Sequence, residues 1–146
     1  MLQKLEYKRD ANYIAGQWVA AEDGRTINVT DPATGEVVGT VPNCGRKEAA
    51  RAIAAAEAAF PAWRARSAQD RSATLFRLAE LIRANQEELA AILTAEQGKP
   101  LAEARGEVGM SAAYVQWFAE EARRVYGDVI PSPWGDRRIL ATKEPV

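Results

Sequence analysis

The chain has one thiol and no histidine, and these two facts limit the chemistry that its side chains can do. Cys44 precedes a predicted helix, where a helix N-terminus can activate a thiol. Without histidine, imidazole acid/base catalysis, His-containing metal sites and a His-dependent Ser or Cys triad are excluded within the chain. No imidazole is available to assist Cys44, and we interpret it as a structural residue. A thiol enzyme built on Cys44 is the alternative.

Two glycines lie inside the last predicted helix, although each costs about 1 kcal/mol relative to alanine there. Gly106 and Gly109 therefore predict a close approach to that helix by another group. Met110 lies one turn after Gly106 and is typical of a flexible core filler. Trp117 and Phe118 are adjacent on the same helix, so at least one of them is expected in the core or an interface.

The elements that position these residues begin with short strands over about 13–42. Gly16-Gln17 predicts a tight type II′ hairpin turn between two short strands. The 31–35 segment, which contains Asp, Pro and Gly, predicts a second turn between strands that alternate apolar and polar residues. We expect these strands to form one small antiparallel meander.

Helices are predicted over about 46–126. The first is rich in alanine and is expected to be disrupted at Pro61. Ser67, three residues before Asp70, predicts a helix start, and Asn85 with Glu88 repeats that pattern. Gly98 followed by Pro100 marks a helix end.

The pattern of apolar residues predicts which helix faces enter the core. The residues at this spacing are Leu75, Leu78, Ala79, Ile82, Leu89, Ile92 and Leu93. The last helix is expected over 101–126 and closed by Gly127. A linker over 130–135 and a strand over 137–146 follow, and an uncovered strand of this kind predicts that the domain continues in a longer protein.

Composition indicates the class of partner. The hydrophobic fraction is 47%, the charged fraction is 27% and the net charge is −1, which is ordinary for a globular protein and gives no basic surface for nucleic acid or anionic membrane. No segment has the features of a secretory signal or the roughly 20 apolar residues of a membrane span. We expect a cytoplasmic protein with small-molecule or protein partners.

Several motifs, taken in order, resemble the N-terminal part of the aldehyde dehydrogenase superfamily. They are YIAGQW (13–18), DPATGEV (31–37), FPAW (60–63), the 71–82 helix, EQGKP (96–100), WFAEE (117–121), YGDVIP (126–131) and KEPV (143–146). The runs at 96–104 and 117–121 look most like the succinate-semialdehyde dehydrogenase branch.

The resemblance implies an α/β fold. Residues 1–131 would form the N-terminal part of the Rossmann-like NAD(P)-binding domain, and 132–146 a linker with the first strand of an oligomerisation arm. The family's catalytic and cofactor-contacting residues would lie beyond Val146. The chain alone would then contain no catalytic or cofactor-binding residue and be inactive, while the parent would be a homo-oligomer, dimer or tetramer.

The resemblance also implies an activity for the parent, in which an aldehyde is oxidised to the acid with NAD(P)⁺ through a cysteine thiohemiacetal and a thioester. Succinate semialdehyde is the expected substrate. The choice between NAD and NADP stays open, because residues that recognise the ribose 2′ position are not present.

Two site predictions come from matching family positions. Gly106 and Met110 match the tunnel that admits the aldehyde, with tight helix packing as the alternative. The Val29 and Thr30 carbonyls and the Glu96 carboxylate match a monovalent cation site, with a solvated helix-end carboxylate as the alternative. The rival function is a non-catalytic, stand-alone helical interaction module whose terminal strand pairs with a partner.

Overall fold

The computed structural model describes residues 6–145, which contain four helices and six short strands. In chain order the elements are β1 (Asn12–Ile14), β2 (Gln17–Val19), β3 (Thr26–Thr30), β4 (Val37–Pro42), α1 (Arg46–Arg64), α2 (Ala68–Ala84), α3 (Gln86–Gln97), α4 (Leu101–Glu121), β5 (Asp128–Ile130) and β6 (Ile139–Ala141). The expected sequence of strands followed by helices is therefore present.

The strands form three separate antiparallel hairpins, so the prediction of one meander is wrong. β1 pairs with β2, β3 with β4, and β5 with β6. The first turn also differs from the predicted Gly16-Gln17 turn, because the left-handed residues are Ala15 (φ 52°) and Gly16 (φ 81°). Two successive positive φ values are the type I′ geometry, whose twist matches that of the strands.

Pro61 lies inside α1, which continues to Arg64, so the predicted disruption at this residue is wrong. Proline removes one helical hydrogen bond, but its carbonyl still accepts one from the Ala65 N–H at 3.0 Å. Pro61 is exposed, and water can solvate the carbonyl that loses its donor.

The helix boundaries predicted at Ser67, Asn85 and Gly98 are confirmed, but the predicted side-chain cap at Asn85 is absent. The Ser67 hydroxyl accepts a hydrogen bond from the Asp70 N–H at 3.1 Å, and Gly98 ends α3 with φ +77°. Asn85 does not cap α3 with its side chain. Its side-chain amide instead donates to the Leu81 carbonyl at 2.8 Å, because Asn85 is both the C-cap of α2 and the N-cap of α3.

The core lies where α2 and α3 pack on α4. Ile82, Leu89 and Leu93 pack against the buried residues Ala90, Ala104 and Val108, as the apolar pattern predicts. Alanine at the helix contacts lets the backbones approach closely, and the Ser72 hydroxyl donates to the Ala119 carbonyl across the α2–α4 contact at 2.6 Å. Leu78, predicted for the core, is 44% exposed instead.

The C-terminal end of α4 and the last hairpin also differ from expectation. α4 ends at Glu121, five residues before the predicted end at Tyr126. Ile130, assigned to a linker, pairs with Ile139 in the β5–β6 hairpin. A side chain at Gly127 would collide with the Ala141 carbonyl, so its small size serves the hairpin and not a helix end. The predicted strand over 137–146 is a strand only over β6, and Val146 lies outside the described residues.

Candidate functional site

An apolar groove runs along the face of α4 that points away from the core. It has a volume of about 310 Å³ and is lined by Met110, Ala113, Tyr114, Trp117 and Phe118. The four large side chains are each more than half exposed. The lining contains no charged residue, so the groove suits an apolar or aromatic group.

The groove follows from the helical repeat of α4. Ala104, Val108, Ala112 and Ala119 are buried against α2 and α3. At 3.6 residues per turn, the opposite face carries Gly106, Met110, Ala113 and Trp117. Phe118 lies beside Trp117 at the groove, and both are exposed, so neither is buried in the core of the described residues. Of the two predicted locations, core or interface, the interface stays a prediction.

The two helical glycines have different surroundings. A Cβ at Gly109 would lie 3.4 Å from the side-chain nitrogen of Gln86, which is close to an ordinary van der Waals contact. A Cβ at Gly106 would meet no described atom within 4 Å, so the predicted close approach is absent there. Met110 is 57% exposed and does not fill the core of the described residues.

Cys44 lies at a second concavity, between β1 and the start of α1. Its sulfur accepts a hydrogen bond from the side-chain amide nitrogen of Asn12 at 2.9 Å, and the thiol is half-buried. Glu48 lines the same concavity. Over residues 6–145, no cluster of three or more His, Cys, Asp or Glu side chains could hold a metal ion.

Glu48 is a buried carboxylate that the sequence reasoning did not single out. It accepts hydrogen bonds from the backbone N–H of Glu22 at 3.1 Å and of Gly45 at 3.0 Å. These bonds hold the pKa of Glu48 below its ordinary value, and the bond from Glu22 has the largest effect. The sequence signal that could have identified Glu48 is its position three residues after Gly45, which is the spacing of a capping box with glycine at the N-cap.

The three predicted cation ligands lie on β3 and at the end of α3. The β3–β4 ladder shifts register between Val29 and Thr30, and such a bulge disrupts the regular pairing of backbone polar groups. Gly98, two residues after Glu96, packs so closely on Pro32 that a Cβ there would lie 2.7 Å from the proline ring. The two segments are thus neighbours, and Glu96 itself is exposed.

Within residues 6–145 there is no parallel βαβ unit of the kind that holds a dinucleotide cofactor. In a Rossmann-type site, the pyrophosphate binds at a glycine-rich turn and helix N-terminus of such a unit. The strands within residues 6–145 pair only as antiparallel hairpins. None of the described helices is long and apolar enough to cross a membrane.

Comparison with known proteins decides the family. The model of the aldehyde dehydrogenase family matches residues 18–146. The chain belongs to the aldehyde dehydrogenase family. It is 52% identical over 145 residues to a glutarate-semialdehyde dehydrogenase of Pseudomonas putida. That match covers 99% of this chain and 30% of that enzyme.

Two further relatives have related names. A succinate-semialdehyde dehydrogenase [NADP(+)] of Escherichia coli is 45% identical, over 94% of this chain and 29% of that enzyme. The solved succinate-semialdehyde dehydrogenase of Burkholderia pseudomallei is 52% identical with a TM-score of 0.88, over 90% of this chain and 27% of that one.

The α/β fold expected for the N-terminal part of an aldehyde dehydrogenase cofactor domain is therefore confirmed. The chain spans about 30% of the length of the curated relatives it matches. The domain boundary at 131 and the roles assigned to Gly106, Met110, Val29, Thr30 and Glu96 stay predictions.

Proposed function

We propose that the whole protein to which this chain belongs oxidises a short aldehyde with a terminal carboxylate, succinate semialdehyde or its glutarate homologue, with NAD(P)⁺. The observation that carries the proposal is the family match over 18–146, together with relatives named for these two semialdehydes. NADP⁺ is the first cofactor to test, because the Escherichia coli relative is named for it. A cytoplasmic location remains a prediction from the sequence.

Within this chain, Met110 and Gly106 would line the passage that admits the aldehyde. In support, Met110 lies in the apolar groove of α4, and the surface beside Gly106 is open. An apolar wall favours the methylene part of the substrate, and the absence of a positive charge in the lining leaves recognition of its carboxylate to residues elsewhere in the protein.

Activity is tested on the whole protein and on the 146-residue chain side by side. Each is mixed with succinate semialdehyde, glutarate semialdehyde or an uncharged aldehyde of similar length, and with NAD⁺ or NADP⁺. We expect reduced cofactor to form only with the whole protein, and faster with the two semialdehydes. Equal rates with the uncharged aldehyde would contradict the substrate class, and turnover by the chain alone would contradict the inference that the catalytic residues lie elsewhere.

The passage is tested with Met110→Trp in the whole protein, which narrows the groove. We expect kcat/KM to fall by about tenfold or more, because a misplaced substrate loses transition-state stabilisation. Leu101→Trp, at the start of the same helix and outside the groove lining, is the control and should retain activity. Unchanged kinetics of Met110→Trp would remove Met110 from the passage.

We further propose a monovalent cation site at the Val29 and Thr30 carbonyls with the Glu96 carboxylate. It is supported by the register shift in β3 and by the packing of the α3 end on Pro32. K⁺ or Na⁺ should raise the melting temperature of the whole protein above that in a large organic cation, and Glu96→Gln should abolish the difference while Glu103→Gln retains it. The same difference in both variants would place the ion elsewhere.

Residues 132–146 would contribute to an arm that assembles the whole protein into a dimer or tetramer. The β5–β6 hairpin supports this, since Val129 and Leu140 are highly exposed apolar residues on a two-stranded ribbon. The rival, a stand-alone interaction module, would be favoured if the native protein proved to be the 146-residue chain and if it bound a partner through the free edge of β6.

A further inference from the structure

We propose that Ser72 is a positioning residue for the aldehyde passage, because its hydroxyl holds the end of α4 that carries Trp117 and Phe118. This role rests on the proposed function, since it requires that the α4 groove line the passage. Ser72 lies on α2 and outside the groove lining, so it acts on the passage through the helix that it contacts.

The hydrogen bond from Ser72 supplies a donor that α4 lacks at its own end. The Ser72 hydroxyl donates to the Ala119 carbonyl at 2.6 Å. A continued helix would offer this carbonyl the Arg123 N–H, which donates to the Glu120 carbonyl at 3.4 Å instead. The last four carbonyls of a helix have no partner within the helix, and Ser72 provides one of them with a partner from another helix.

The contact between Ser72 and Ala119 is buried within the described residues themselves. Ser72 is 2% exposed and Ala119 is fully buried. Addition of the rest of the protein cannot expose them, so the contact is the same whatever covers the outer face of α4. A buried carbonyl that loses its donor has no water to replace it, which is why such groups are almost always paired.

Apolar packing leaves the position of this end of α4 along its axis to the hydrogen bond. Toward the start of α4, the larger side chains of Ile82, Leu89 and Leu93 pack against its buried residues. Toward its end, the buried α4 residues are Ala112 and Ala119. Alanine side chains are too short to interlock, so they resist sliding only weakly. A hydrogen bond, in contrast, requires a narrow range of lengths and angles.

The anchored carbonyl lies directly beside the groove, because Trp117 and Phe118 are the two residues before Ala119. Without the Ser72 hydroxyl, this carbonyl regains a donor only if α4 extends to Arg123 or shifts along α2. Either change moves the last turn of α4 and the two aromatic side chains that line the groove. Loss of the hydroxyl should therefore change how the passage holds the aldehyde.

The test is the kinetics of Ser72→Ala in the whole protein with succinate semialdehyde. We expect KM to rise by about threefold or more while kcat stays within about twofold, because a passage wall binds the ground state and the transition state alike. A loss of stability alone would lower the melting temperature and the fraction of active enzyme, and so the apparent kcat, but not change KM. An unchanged KM would overturn the proposal.

Two further variants isolate the hydrogen bond. Thr74→Ala is the matched control, because the Thr74 hydroxyl donates to the Asp70 carbonyl within α2 at 2.9 Å, and it should leave KM unchanged. Ser72→Cys keeps a weaker donor of similar size and should raise KM less than Ser72→Ala does. An equal rise in KM for Thr74→Ala, or a larger rise for Ser72→Cys than for Ser72→Ala, would contradict the role of this bond.

Trp117→Ala separates the role of Ser72 from that of the passage. It removes part of the groove wall and should itself raise KM. In its presence Ser72→Ala should add less than about twofold, because the effects of residues that act through one another are not additive. If Ser72→Ala adds its full effect, Ser72 does not act through the groove, although the passage stands. If neither Trp117→Ala nor Met110→Trp changes the kinetics, the passage is wrong and the role of Ser72 falls with it.

Discussion

At the residue scale, Glu48 joins two parts of the chain that are far apart in sequence. Its carboxylate accepts the N–H of Glu22, in the loop after β2, and the N–H of Gly45, at the N-cap of α1. Charged acceptors form stronger hydrogen bonds than neutral ones, and a negative charge in the first turn also suits the helix dipole.

This arrangement predicts a pH dependence of stability. The pKa of Glu48 is lowered by the folded state from an ordinary 4.5, so the ionised carboxylate stabilises the fold at pH values above 4.5. That stabilisation is lost as the pH falls from 4.5 through the lower pKa of the folded state. Glu48→Gln should therefore lower the urea midpoint near neutral pH, and the difference from the original chain should shrink in acid.

Glu57→Gln is the control for Glu48, because Glu57 is an exposed residue of the same helix. Its midpoint should follow that of the original chain at every pH. A difference for Glu48→Gln that stays constant into acid would mean that the charge is not the cause.

Substitution of glycine by alanine should have opposite effects on stability at Gly98 and Gly106. Gly98 has φ +77°, and a Cβ there would lie 2.7 Å from the Pro32 ring, so Gly98→Ala should destabilise the chain by about 1–3 kcal/mol. Gly106 is a helical residue with open space around it, so Gly106→Ala should stabilise by about 0.5–1 kcal/mol. Urea unfolding at low protein concentration measures both, and equal effects of the two substitutions would contradict this assignment.

At the element scale, the sequence predicted those features that depend on neighbouring residues. Ser67 and Gly98 define helix ends because each acts on backbone groups within four residues. Pro61 was misjudged because a single lost hydrogen bond on an exposed helix does not outweigh the bonds on either side. At Asn85 the predicted helix start is right but the side-chain cap is not, because the side chain had two possible partners and the end of α2 decided between them.

The α2–α3–α4 contact predicts sensitivity to added volume. Ala104 is fully buried where the helices touch, so Ala104→Leu should destabilise by about 1–3 kcal/mol through overpacking. Ala102→Leu, at an exposed position of the same helix, should change stability by no more than about 0.5 kcal/mol. Thermal unfolding distinguishes them, and a neutral Ala104→Leu would mean that the contact is loose.

At the scale of the whole molecule, the candidate site was only partly predictable. The sequence placed Met110 and Gly106 on one helix face, since the helical repeat fixes which residues share a side. It did not predict that Tyr114, Trp117 and Phe118 would line the same groove. That depends on which face of α4 the other helices cover. Alanines lie on several faces of the helices, so the local apolar pattern does not determine which face is covered.

The distribution of burial predicts that the molecule does not exchange its amide hydrogens uniformly. Among residues 6–145, the buried apolar residues other than Ala21 all lie on α2, α3 and α4, whereas the one buried residue of α1 is Glu48. Local opening needs less free energy where few apolar contacts are broken. Amides at the centre of α4 should therefore exchange at least about 100-fold more slowly than those at the centre of α1.

Hydrogen exchange followed by mass spectrometry would measure these rates segment by segment. The β5–β6 hairpin, whose six strand residues are all exposed, should exchange as fast as α1. Equal protection of α1 and α4 would instead mean that the two helices unfold as one cooperative unit. The contacts of α1 with β1 and the Glu48 hydrogen bonds would then be sufficient to couple α1 to the rest of the chain.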